Sequence, residues 1–110
     1  MITARRRNPI FLCRQMELIA DILAVRPGTL PERLADLRLT LDAISPADFP
    51  TDDLAHEWAA IQSALPRMDQ ASSVSPEQVA CEIACALLDL RTRLRQWVAD
   101  RQSALENTAA

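Results

Sequence analysis

A chain of 110 residues is enough for one domain with its own core and too short for two. The net charge is only −3, all twelve basic residues are Arg, and the chain has one Gly and no Tyr. Mild acidity argues against a dedicated nucleic-acid binder, the shortage of strand-favouring runs argues against a sheet, and no apolar run is long enough to span a bilayer.

Residues 1–7 read as a loose arm carrying Arg5, Arg6 and Arg7. A signal peptide is excluded because Arg14, Glu17 and Asp21 interrupt the apolar run from Leu12 to Val25. Asn8 and Pro9 open a first helix over about 9–25 as N-cap and first helical residue. Its stripe is Leu12, Met16, Ile19 and Leu23, widened by Phe11, Leu18, Ile22 and Val25. Arg26-Pro27-Gly28-Thr29 then ends the helix, with Gly28 suited to the positive-φ position of a type II turn.

Thr29 and Glu32 have capping-box spacing, and the apolar positions Leu30, Leu34, Leu37, Leu41 and Ile44 alternate four and three. This pattern predicts one continuous helix over 30–44, with Arg33, Asp36, Arg38 and Asp42 solvated and Arg38 four residues from Asp42. Ser45-Pro46 stops it, and Phe49, between Asp48 and Pro50, is expected to plug the end of the core. Thr51 caps a third helix over 52–65 with Asp52 and Asp53 at its positive end and a stripe of Leu54, Trp58, Ile61 and Leu65. Pro66 closes it, and residues 67–74 read as a flexible polar loop.

The last helix is predicted over 76–106. Ser75 is the N-cap, Pro76 the first helical residue, Gln78 sits at the capping-box position, and Val74 with Val79 forms a hydrophobic staple. Ala80, Ile83, Leu87, Leu90, Leu94, Trp97 and Ala104 make a heptad-like seam that Arg101 interrupts. Between Val79 and Leu90 the helix is apolar nearly all round, so neighbours are expected on several sides. Beyond Leu90, arginines surround a narrow stripe of Leu94, Trp97, Val98 and Leu105.

These four segments predict an all-α fold, an antiparallel four-helix bundle over residues 8–107 with a long C-terminal helix. The lengths do not match, because the first three helices span about 21–26 Å and the last about 46 Å. Either the short helices stack along the long one, or a second copy covers Leu94, Trp97, Val98 and Leu105. A Trp-bearing stripe is expected to be covered, which predicts a homodimer through these four residues.

Chemistry-bearing residues are few. Cys81 and Cys85, four apart, share a helix face, and with Cys13 or His56 could hold Cu(I) or Zn(II), or act as a redox sensor. Their Ala, Ile and Leu neighbours favour packing as small hydrophobes instead. The odd cysteine count fits reduced thiols and a cytoplasmic setting. Asp53-Leu54-Ala55-His56, with Glu17 and Glu82, resembles part of a di-metal bundle site, but such sites need two such motifs and His56 is the sole His. Arg91, Arg93, Arg95 and Arg101 could meet phosphates, yet Arg93 points away from the face shared by Arg91 and Arg95.

With one Gly, no Lys, no Tyr and a single His, the phosphate-cradle, Schiff-base, phenolic-acid and triad chemistries lack their parts. The expectation is a non-enzymatic, cofactor-free protein-interaction module, with a thiol-based metal or redox sensor and a nucleic-acid accessory protein as competing readings.

The stretch Leu37–Leu65, with Ile44, Asp48-Phe49-Pro50, Trp58 and Ile61, resembles a pattern in small uncharacterised bacterial helical proteins. Those proteins carry a Leu-rich helix, an Asp-Phe-Pro turn and an aromatic-x-x-Ile helix. The resemblance covers under a third of the chain, implies no activity and assigns no functional residue.

Overall fold

The computed structural model describes residues 8–69 and 75–109, with side-chain surroundings through Leu105. The expected N-terminal arm, the Val74 half of the staple and most of the expected loop lie outside the described residues. Those described are helical with no strand: α1 (Pro9–Val25), α2 (Leu30–Asp36), α3 (Arg38–Ala43), a 3-10 turn (Pro46–Asp48), α4 (Asp52–Ala64), a second 3-10 turn (Leu65–Met68) and α5 (Pro76–Ala109).

The helix starts follow local chemistry. Asn8 Oδ1 accepts from the Ile10 N–H at 2.9 Å, and Thr51 Oγ1 accepts from Leu54. Thr29 and Glu32 form the reciprocal capping box, and Ser75 Oγ accepts from the Gln78 N–H at 3.2 Å. Each contact satisfies an N–H that a first helical turn leaves without an intrahelical partner. Gly28 has φ 108°, the left-handed conformation expected at the α1–α2 turn.

The helix expected over 30–44 is two helices. At Leu37 the backbone reaches φ −90° and ψ −4°, and its N–H bonds back to Leu34, three residues away. Leu34, Leu37, Leu41 and Ile44 are all buried, so the break keeps the seam intact while turning it. The turn delivers the Ile44 carbonyl to α4, where it accepts from Trp58 Nε1 and Gln62 Nε2, both at 2.8 Å. These tertiary bonds satisfy a helix-end carbonyl without a glycine cap.

Pro66 does not end the chain's regular structure. It sits inside the second 3-10 turn, which buries Leu65 and Met68, the latter within the expected flexible loop. Phe49 is buried as expected and packs on Trp58 with ring centroids 5.3 Å apart.

The core is one cluster organised on α5. Val79, Ala80, Ile83, Leu87, Leu90 and Leu94 form its buried stripe, covered by Leu12, Met16, Ile19 and Leu23 of α1 and by residues of α2, α4 and the second 3-10 turn. Of the charged residues expected to be solvated, Asp36 and Asp42 are exposed, while Arg33 and Arg38 are half-buried and reach across elements. Arg33 donates to the Leu23 carbonyl at 2.8 Å, Arg26 pairs with Asp36, and Arg38 pairs with Asp69 rather than with Asp42.

Candidate functional site

The stripe expected at a partner interface divides into three parts. Leu94 is fully buried within its own chain, which corrects the expectation that it lies uncovered. The α1 helix lies alongside α5 at this level, as Glu17 shows by pairing with both Arg91 and Arg95. Trp97 and Val98 are half-buried, and Leu105 is 66% exposed. From Ala99 to Leu105 every residue is exposed.

Those last turns of α5 and the first turn of α1 form a groove of about 300 Å³ lined by Ile10, Trp97, Val98, Arg101 and Leu105. Ile10, 46% exposed, was missed in sequence, where its place outside the α1 stripe marked it as surface. The Arg101 guanidinium lies 5.6 Å from the Trp97 ring centroid. This cation–π contact explains how Arg101 interrupts the apolar seam without clashing with it. Beside it Gln96 donates to Asp100 at 2.8 Å. The groove offers an apolar floor and an aromatic wall, suited to receiving an apolar side chain rather than to proton transfer.

The arginines of α5 are largely engaged within the chain. Arg93 pairs with Glu57, and Arg95 hydrogen-bonds Glu17. That hydrogen bond, with Arg91 nearby, holds the Glu17 carboxyl below the usual carboxylate range.

Cys81 and Cys85 are both exposed, which corrects the expectation that they pack in the core. Their Ala and Leu neighbours are not all core residues, since Ala86 and Leu88 are also exposed. The two thiols are adjacent. Charge on Cys81, then a hydrogen bond between the two and slight burial, raises the Cys85 thiol above its ordinary value. Cys13 sits elsewhere, on α1 near Arg95 and Glu17, and burial raises its thiol. His56 is exposed on α4, where with Asp52 it lines a shallow recess beside Pro46 and Ala47. Among the described residues no group of three or more His, Cys, Asp or Glu gathers as a metal site, so Cys13 and His56 do not complete the cysteine pair. Glu17, Asp53 and Glu82 likewise do not converge with His56.

Among the described residues no helix is long and apolar enough to cross a membrane. No protein-family model, curated protein or solved structure matches this chain.

Proposed function

We propose that this chain is a non-enzymatic protein-interaction module that pairs with a second copy of itself through the groove of Trp97, Val98, Leu105 and Ile10. The observation that carries the reading is the position of Leu105. It is a large apolar side chain, mostly exposed, on the same helix that supplies the groove's aromatic wall. Two such helices lying antiparallel place each Leu105 towards the other's Trp97. One patch therefore serves as both knob and hole, the self-complementarity that a two-fold interface requires. Trp97 is the anchor, because buried aromatics dominate interface energetics. Leu94, fully buried nearly one turn earlier on α5, lies behind the interface rather than in it.

The wider architecture supports this reading. If α2 and α3 are taken as one bent segment, the chain approximates a four-helix antiparallel bundle. Glu57 meets Arg93 while Ala64 lies beside Glu82, and Glu17 meets Arg91 while Ile10 lies beside Leu105. Contacts in that opposite order are what counter-running helices give. The free cysteines fit a reducing, cytoplasmic setting.

Light scattering after size exclusion, on reduced protein at micromolar concentration, tests the pairing. The native chain is expected at dimer mass, and Leu105→Arg at monomer mass with unchanged helicity. A native monomer, or a dimer that persists in both Leu105→Arg and Ile10→Arg, overturns the reading.

A further inference from the structure

We propose that Cys81 and Cys85 form a bis-thiolate site on the outward side of α5 that takes a soft monovalent ion such as Cu(I), bound in line between the two sulfurs. Cys81 and Cys85 lie on the side of α5 opposite its buried stripe, and both are exposed. They stand clear of the groove at the other end of the helix, so the site is independent of the pairing. Glu82 and Ala86, the residue after each cysteine, are also exposed and leave that side of the pair open to solvent, so an ion can enter without displacing any packed element.

Coordination number selects the ion. Zn(II) in a structural site requires four ligands and in a catalytic site three plus water. Among the described residues no third His, Cys, Asp or Glu gathers with another two. Glu77 and Asp89 continue the same row at four-residue spacing, but a row along a helix does not converge on a point. They add negative charge without adding a ligand. Two thiolates alone match a soft d10 ion that is content with two sulfurs.

Reach selects coordination over oxidation. Side chains four apart on a helix have Cβ atoms about 5–6 Å apart, whereas a disulfide needs about 3.5–4.5 Å. An intrahelical disulfide would therefore require α5 to unwind. Two thiolate–metal bonds of about 2.3 Å in line hold the sulfurs about 4.6 Å apart, and with a flexible Cβ–S bond at each end this is within reach of Cβ atoms about 5–6 Å apart. A cation between the sulfurs also offsets the charge repulsion from Cys81 that raises the Cys85 thiol. On binding, both thiols release their protons to solvent, each sulfur donates a lone pair to the ion, and the ion sheds its solvent ligands. Nothing is oxidised or reduced.

The test is an anaerobic titration of the reduced 110-residue chain with Cu(I) against a chromogenic Cu(I) chelator, read alongside native mass spectrometry. The expected result is one copper per chain with two protons lost, and retention of binding in Cys13→Ser. Cys81→Ser and Cys85→Ser each remove one of two linked ligands, so affinity should fall by about a hundredfold or more. Both sites are exposed, and circular dichroism will confirm that the variants keep their helices. Capture undiminished in either variant, no capture in competition, one copper per two chains, or Zn(II) held as tightly as Cu(I) would each overturn the proposal.

Discussion

Trp58 is fully buried, and its indole N–H and the Gln62 amide both donate to the Ile44 carbonyl. Two donors on one carbonyl make the site tolerant of losing one of them. Trp58→Phe is therefore expected to fold, with a loss of about 1–3 kcal/mol, mostly from the volume it leaves. Gln62→Ala alone should cost about 1 kcal/mol. Urea denaturation of both singles and the double should show coupling, because the second loss strands the carbonyl. Additive costs would mean that the two bonds are independent.

Gly28 is constrained differently. At φ 108° a Cβ would sit 2.5 Å from Glu32 Oε2, the oxygen that completes the Thr29 capping box. Gly28→Ala should destabilise by about 1–2 kcal/mol through backbone strain and a disturbed cap. Thermal melting reads this directly, and an unchanged midpoint would show that the turn has another conformation to use.

The Glu17–Arg95 pair gives a pH signature. The folded carboxyl titrates below its unfolded value of about 4.3, so its contribution is complete above that value. It is lost as pH falls through the lower folded value. The stability difference between the native chain and Glu17→Gln should therefore shrink below about pH 4. Because the Glu17 side chain is still about two-fifths exposed, the effect should be small and weaken further in salt.

At the scale of elements, the sequence was most legible where the determining contacts are local. Asn8, Thr29 with Glu32, Thr51 and Ser75 cap the helices they were expected to cap, because the bonded atoms are two or three residues apart. The break at Leu37 was not legible. No Gly or Pro marks it, and its compensation comes from Trp58 and Gln62, which are distant in sequence. Cys81 and Cys85 were misplaced for a related reason. Neighbours rich in Ala and Leu made the first half of α5 look apolar all round, whereas Leu88 and Ala86 share the solvent side with them. Ile10 escaped notice because the groove it lines joins the ends of two helices far apart in sequence.

The charged contacts between elements are unequal. Arg33 is half-buried and donates to the Leu23 carbonyl near the end of α1, where the helix dipole favours a cation. Arg33→Ala should cost about 1–2 kcal/mol. The Arg26–Asp36 pair spans the same turn, but both side chains are at least half-exposed. Asp36→Asn should then change stability by under about 0.5 kcal/mol. Equal costs in chemical denaturation would contradict this ranking.

At the scale of the whole molecule, the mismatch between three short segments and one long helix has an intramolecular answer up to Leu94. Shorter elements cover successive parts of α5, and its buried stripe runs from Val79 to Leu94. Beyond Leu94 cover thins to the first turns of α1, and the large apolar side chains left at least partly in view are Trp97, Val98 and Leu105. Trp97→Ala should lower the dimer mass fraction while leaving the melt of the helical core nearly unchanged. A large loss of helicity instead would assign Trp97 to the fold rather than to pairing.

The dependence of every layer on α5 also orders the chain's assembly in time. α1, α2, α4 and the second 3-10 turn all pack on the last helix of the fold. As synthesis proceeds from the N-terminus, Leu12, Met16, Trp58 and Ile61 exist before the surface that buries them does. Collapse into the native core therefore waits until the chain has passed Leu94. Segments ending before Pro76 keep only the contacts among the earlier elements, such as Trp58 with Ile44 and Phe49, and a chaperone meeting the nascent chain would see the faces that α5 covers unshielded until that moment.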